Sequence, residues 1–188
     1  MLKTAPVVFA VEDTYQIVVP VNAECLMWVQ IGDKTYYDDT NGILRSLSDV
    51  HRVTVPMTVL DASKEYTVHL RPVTLRRGWC SQTEEPMAYT YPCAPVPAKG
   101  ARAYCISDAH GRIEEPVAAA KAYGDIDFLI LNGDLANSFD DPDQLLNACR
   151  LAEQITGGSK PVVSARGNHD LRGKYSEQTA LYMPQCHG

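Results

Sequence analysis

Hydrophobic positions change their period once along the chain. In the first part they fall in short runs, some of them alternating in period two. Val7–Val11, Tyr15–Val21 and Cys25–Ile31 are rich in β-branched and aromatic residues, and breaks containing Asp, Asn, Gly and Glu separate them. Gly32-Asp33 between two such runs predicts a hairpin whose return strand is Thr35–Tyr37, followed by a turn cluster over Asp38–Gly42. Alternation over Arg52–Leu60 and Glu65–Arg71 predicts two further strands, with Pro56 placing the first at a sheet edge or bulge. Met87–Tyr91 supplies a last strand. Short strands with turns at this spacing predict a β-sandwich over residues 1–92.

Pro92, Pro95, Pro97 and Gly100 then interrupt the pattern, so residues 93–100 read as an extended, stiff linker. Beyond it, strands alternate with helices. Arg102–Ser107 is a buried strand. Glu114-Glu115-Pro116 opens a helix that Gly124 ends, with its acids in the first turn, where the helix dipole favours them. Asp127–Leu131 is the next strand. Asp141-Pro142-Asp143 opens a helix that runs through Leu145, Leu146, Cys149, Leu151 and Ile155 and stops at Gly157-Gly158. Lys160–Ala165 is the third strand, and Lys174–Tyr182 reads as another helix. The βαβαβα order over residues 101–188 predicts a parallel sheet with right-handed crossovers, whose ligands bind off the carboxyl ends of the strands.

Composition narrows this picture only modestly. The chain has 188 residues and a formal charge of −6. Residues 1–97 carry 8 basic and 11 acidic groups and residues 98–188 carry 9 and 12, so neither half has a basic stripe suited to general nucleic-acid binding. The first apolar run is too short for a signal-peptide core, and none reaches membrane-spanning length. Six well-separated cysteines without a Cys-x-x-Cys pair predict a reduced, cytoplasmic protein, with Cys80–Cys93 the one conceivable loop disulfide in an oxidising compartment. Cys105 and Cys149 read as small core residues. Trp28, Tyr66 and Trp79 read as core or edge packing, His51 and His69 as structural, and His187 as incidental.

The candidate chemistry sits at the three strand ends. Asp108-Ala109-His110 follows the first, Asn132-Gly133-Asp134 the second, and Gly167-Asn168-His169-Asp170 the third. Singly, each pattern reads equally well as a turn or a cap. Jointly, Asp108, His110, Asp134 and Asn168 supply carboxylate, imidazole and amide oxygen without thiolate, a set suited to Mn, Fe, Zn, Co or Ni. A carboxylate on the middle strand can bridge two ions. A pair about 3.5–4 Å apart acidifies a shared water and clamps both oxygens of an in-line phosphoryl displacement. His169, with Asp170 behind it, is placed to donate a proton or a hydrogen bond to the phosphoryl group or its leaving oxygen.

In order and spacing, with gaps of 26 residues from Asp108 to Asp134 and 34 from Asp134 to Asn168, these blocks resemble the first three signature blocks of the calcineurin-like metallophosphoesterases. The resemblance covers about residues 101–175. It implies that Asp108 and His110 bind a first metal, that Asp134 bridges, that Asn168 binds a second metal and that His169 acts in catalysis. Leu60–Tyr66 also resembles the tyrosine-corner segment of fibronectin type III domains. Purple acid phosphatases, members of the same family, likewise carry an amino-terminal sandwich. They have a tyrosine where this chain has Asn137 and no histidine at the position of His110, so the likeness does not extend to a tyrosinate-bound ferric centre.

The family completes its metal sites with later histidines, whereas this sequence ends 19 residues after His169, at His187-Gly188. The resemblance therefore implies the first half of a phosphoesterase domain, with incomplete metal sites and an open sheet edge and face. The expectation is a sandwich followed by a partial α/β phosphoesterase domain. It belongs to a metal-dependent enzyme hydrolysing phosphate mono- or diesters, with a phosphate ester as substrate and no membrane or general nucleic-acid partner. The missing half, or another protomer, is the expected protein partner. The rival reading is a non-catalytic binding protein with a degenerate half-domain.

Overall fold

The computed structural model describes residues 1–185. The first part folds into β1 (Val7–Val11), β2 (Thr14–Pro20), β3 (Cys25–Ile31), β4 (Lys34–Tyr37), β5 (Asp39–Thr40), β6 (Ile43–Leu44), β7 (Val50–Pro56), β8 (Glu65–Arg76), β9 (Ser81–Thr83) and β10 (Met87–Pro92), with helix α1 (Met57–Ser63) between β7 and β8. After the proline-rich segment come β11 (Ala103–Ile106), α2 (Glu114–Tyr123), β12 (Phe128–Asn132), α3 (Asn147–Thr156), β13 (Pro161–Ala165) and the short α4 (Thr179–Tyr182).

The two parts share a sheet. One sheet has six strands in the order β11-β12-β13-β1-β2-β7, and the second runs β10-β8-β3-β4 with β9 paired to β8. β11, β12 and β13 are mutually parallel, as the alternating pattern predicts, and β1 continues the parallel set beside β13 before β2 and β7 turn antiparallel. Registry carries one row across the junction: Tyr104 opposite Leu129, Leu129 opposite Val162, and Val162 opposite Phe9. Leu129, Val162 and Phe9 are fully buried in a core that also holds Val117 of α2 and Cys149 and Leu151 of α3. Val8, facing the other way, joins Ile17, Val53, Met27, Val68 and Leu70 in the core between the two sheets. β1 is thus buried on both faces. Each such side chain contributes roughly 1.5–3 kcal/mol by leaving water.

Local rules explain most boundaries. The β3–β4 hairpin turns at Gly32, with φ 58°, and Ile31 faces Lys34 across it. Glu114 and Glu115 occupy the first turn of α2, and Gly124 ends it with φ 92°. Gly157 stops α3 in the left-handed conformation. Pro56 closes β7, the outer strand of the six-stranded sheet.

Four expectations are corrected. The strand predicted through Leu60 stops at Pro56, because Met57–Ser63 coils into α1 and drives Leu60 into the inter-sheet core. Val59 had mimicked the alternation. The helix opening at Asp141 starts as a 3₁₀ turn over Pro142–Leu146, with the Asp141 carboxylate accepting the Asp143 N–H, before α3 begins. The helix expected over Lys174–Tyr182 is a 3₁₀ turn at Ser176–Gln178 followed by the four residues of α4. Cys105 is not a core residue. It lies on the face of β11 turned away from the helices, in a row with Ile130 and Val163, whereas Cys149 is fully buried.

The five described cysteines are free thiols, while Cys186 and His187 lie outside the described residues. Tyr66 is buried and Trp28 stacks on His69 with centroids 5.0 Å apart, but Trp79, in the connection between β8 and β9, is 82% exposed. Among the described residues no helix is long and apolar enough to cross a membrane.

Candidate metal centre

The loops after β11, β12 and β13 meet at the carboxyl end of the parallel strands. Asp108, His110 and Asp134 all adopt left-handed backbone, with φ of 56°, 48° and 54°. Side-chain-bearing residues rarely take this conformation, and it persists only where surroundings enforce it. Here neighbouring loops do so. The Asp108 N–H donates to the Gly133 carbonyl at 3.2 Å, the His110 N–H to the Asp134 carbonyl at 3.0 Å and the Gly111 N–H to the Leu135 carbonyl at 2.9 Å. The first loop is therefore laid along the second by main-chain bonds.

The second and third loops are locked by carboxylates and by glycine. Asp134 Oδ1 accepts the His169 N–H at 2.7 Å. In return, Asp170 Oδ2 accepts the N–H of Asp134 at 3.2 Å and of Gly167 at 2.8 Å. A Cβ on Gly133 would stand 2.4 Å from the Gly167 nitrogen, and one on Gly167 would stand 2.1 Å from Asp134 Oδ1. Both glycines are required by this close approach.

These constraints bring together His110, Asp134 and His169, whose ligand-type atoms all lie within 4.8 Å of one another. The two imidazoles meet edge to face, with centroids 4.5 Å apart. Asp108 stands at the rim. Its carboxylate is more than half exposed, with Oδ1 3.7 Å from His110 Nε2, while its Oδ2 accepts from the Ser107 hydroxyl. Asn168 joins from the third loop, its side-chain amide placing one heteroatom 3.0 Å from Asp134 Oδ2 and the other 2.7 Å from Arg172 Nη2. Asp170 is buried, directed into the loop backbone rather than toward the imidazoles.

Sequence reasoning overlooked two partners of His169. Its Nδ1 lies 2.8 Å from the Asn137 carbonyl, which can only accept, so Nδ1 carries the hydrogen. Arg172 Nη1 lies over the ring, 2.9 Å from Nε2 and 3.2 Å from Nδ1. Asn137 acts through its main chain, which no side-chain pattern reveals, and Arg172 carried no motif. A second polar cluster also escaped notice. Fully buried His51 lies between Asp38, at 2.5 Å from Nδ1, and Cys25, at 3.4 Å from Nε2. Both partners are remote in sequence, and this chain of hydrogen bonds ties the loop after β4 to the sandwich core.

The donor set fits a divalent cation. It offers two imidazoles, a nearly buried carboxylate and an amide oxygen, with a second carboxylate at the rim. His110 Nδ1 is buried without a hydrogen-bond partner, as a ligand atom awaiting a cation would be.

Comparison with known proteins agrees with this geometry. Residues 101–186 match the family described as calcineurin-like phosphoesterase. No curated protein matches the chain. Among solved structures, a purple acid phosphatase isolated from yellow lupin (Lupinus luteus) seeds is similar in fold, with a TM-score of 0.59 and 14% sequence identity. The match covers 98% of this chain and 42% of that one. The present chain thus spans less than half of that enzyme's length, and the shared architecture is a sandwich followed by an α/β unit.

Proposed function

We propose that this protein, whose residues 101–186 match the calcineurin-like phosphoesterase family, is a metal-dependent phosphoesterase hydrolysing phosphate mono- or diesters. The observation that carries the reading is the convergence of His110, Asp134 and His169 within 4.8 Å at the ends of successive parallel strands. Asp108, His110, Asp134 and Asn168 are the residues that would hold two divalent ions. When bound, such ions supply Lewis acidity toward a phosphoryl oxygen and a nucleophilic water at neutral pH.

The chain's own residues do the rest. His169, its Nδ1 held by the Asn137 carbonyl, supplies Nε2 for exchange of a proton or hydrogen bond with the phosphoryl group or leaving oxygen. Asp170 is a positioning residue. Its carboxylate fixes the main chain of Asp134 and Gly167, and through them the separation of the second and third loops. A purple-type ferric centre is not proposed, because Asn137 stands where the tyrosine ligand is required.

The test is turnover of an aryl phosphate and an aryl phosphodiester with Mn²⁺ by the protein at its natural length. Metal-dependent hydrolysis abolished by both Asp134→Asn and His169→Ala is the expected result. Rates unchanged in those variants would overturn the reading.

A further inference from the structure

We propose that the groove between the β5–β6 hairpin and the end of β8 docks an extended peptide segment of a partner protein, one carrying an apolar side chain beside a carboxylate. The inference goes beyond the phosphoesterase reading and does not depend on it. Ile43 and Leu44 on β6 and Leu47 in the β6–β7 connection are 73%, 44% and 63% exposed, a concentration of bulky aliphatic surface that marks an interaction site. They line an open groove of about 890 Å³ together with Arg45 and Arg76. No carboxylate belongs to the lining, so its charged groups are two guanidiniums. Arg45 is shared with Asp38 at 3.5 Å, whereas Arg76 donates to the Ser46 hydroxyl and joins no salt bridge among the described residues. An apolar wall with a positive charge at its margin complements an apolar side chain flanked by a carboxylate.

The main chain adds to this recognition. Among the described residues β6 pairs with β5 alone, Thr40 opposite Ile43 and Asp39 opposite Leu44, so one edge of β6 has no strand partner. A ribbon of two such short strands is marginal by itself, and an added strand both stabilises it and sets alternate side chains toward the groove. Concavity favours a peptide over a bilayer. So does Asp39, exposed opposite Leu44, because a membrane that Leu44 entered would meet this carboxylate at its anionic headgroups. The groove also lies away from the metal centre. It precedes Val50, which pairs with Pro20 at the amino end of the parallel strands, while the loops of the centre lie at the carboxyl end. A docked segment therefore leaves the centre open to substrate.

The test is selection of a phage-displayed library of random nonapeptides on the whole chain, followed by anisotropy titration of the selected peptides against Ile43→Asp, Leu47→Asp and Arg76→Glu. The selected peptides are expected to share an apolar residue beside a carboxylate. Their affinity should fall at least tenfold in Ile43→Asp and in Leu47→Asp, since each places a charge where an apolar side chain is to be buried. Arg76→Glu should weaken binding similarly, and replacing the peptide carboxylate with lysine should restore it in that variant alone. Because Ile43 and Leu47 are exposed, their variants should unfold at the wild-type urea concentration. Failure to select any peptide that depends on Ile43 and Leu47, or a lysine swap that rescues nothing, would overturn the proposal. Two further outcomes would overturn it by naming another occupant. These are binding to phosphatidylcholine–phosphatidylserine vesicles, or self-association of the wild type, that Ile43→Asp abolishes.

Discussion

Tyr66 donates its hydroxyl hydrogen to the carbonyl of Gly158 at 2.8 Å, tying the sandwich to the turn that ends α3. The tyrosine is fully buried, and Gly158 has φ 77° with the Tyr66 oxygen, the Tyr91 ring and the Pro6 carbonyl about the place of its absent Cβ. Tyr66→Phe is expected to cost about 1–3 kcal/mol, because it leaves a buried carbonyl without its donor. Gly158→Ala should cost at least as much, through the left-handed backbone and crowding. Urea unfolding reads both, and a single transition is expected because β1 joins the two parts in one sheet.

Asp170 should matter to the site without touching the reacting atoms. Asp170→Ala strands the N–H groups of Asp134 and Gly167. A stability loss of about 2–4 kcal/mol is expected, together with weaker Mn²⁺ binding. Asp170→Asn keeps one acceptor oxygen and should fall between that variant and the wild type. Equal effects of the two substitutions would argue for a role of its charge.

Gly167→Ala should disable the centre more selectively. Its Cβ falls on the carboxylate of Asp134, which must move. Mn²⁺ affinity is expected to drop at least tenfold, an effect calorimetry would detect.

Buried thiols give the fold an alkaline limit. Burial, then the Asp38 carboxylate, pushes the Cys25 thiol up to about 11. Burial, then Asp61, pushes Cys93 to about 12, and burial, then Glu153, does the same to Cys149. An unfolded thiol ionises near pH 8.5, so the folded state retains protons that the unfolded chain releases. Stability is fully present below that pH and declines as pH rises toward the folded values, by roughly 1.4 kcal/mol per pH unit for each thiol. Denaturation from pH 7 to 10 measures the decline. At pH 8.5, iodoacetamide should label exposed Cys80 and Cys105 and spare Cys25, Cys93 and Cys149 until unfolding.

The parallel order of β11, β12 and β13 was legible because each strand ends in polar residues and β11 and β12 are each followed by a helix. The three loop motifs were legible for the same reason. The pairing of β1 with β13 was not: Val7–Val11 is fully apolar at alternate and intervening positions, which marks burial on both faces but names no neighbour. Alternation over Val53, Val55, Met57 and Val59 concealed the switch from strand to helix at Pro56. At the site, residue types predicted donors, while the partners of His169 depended on a main-chain carbonyl and on an arginine three residues on, neither of which carries a sequence signal. The burial of Asp170 likewise follows from the packing of Gly133 against Gly167, a contact between chain segments more than thirty residues apart.

The most direct test of the account is anomalous diffraction at the manganese edge from crystals equilibrated with Mn²⁺. The account predicts a peak within coordination distance of the Asp134 carboxylate and flanked by His110 and Asn168, absent in crystals of Asp134→Asn. No peak there, or the same peak in Asp134→Asn, would contradict it.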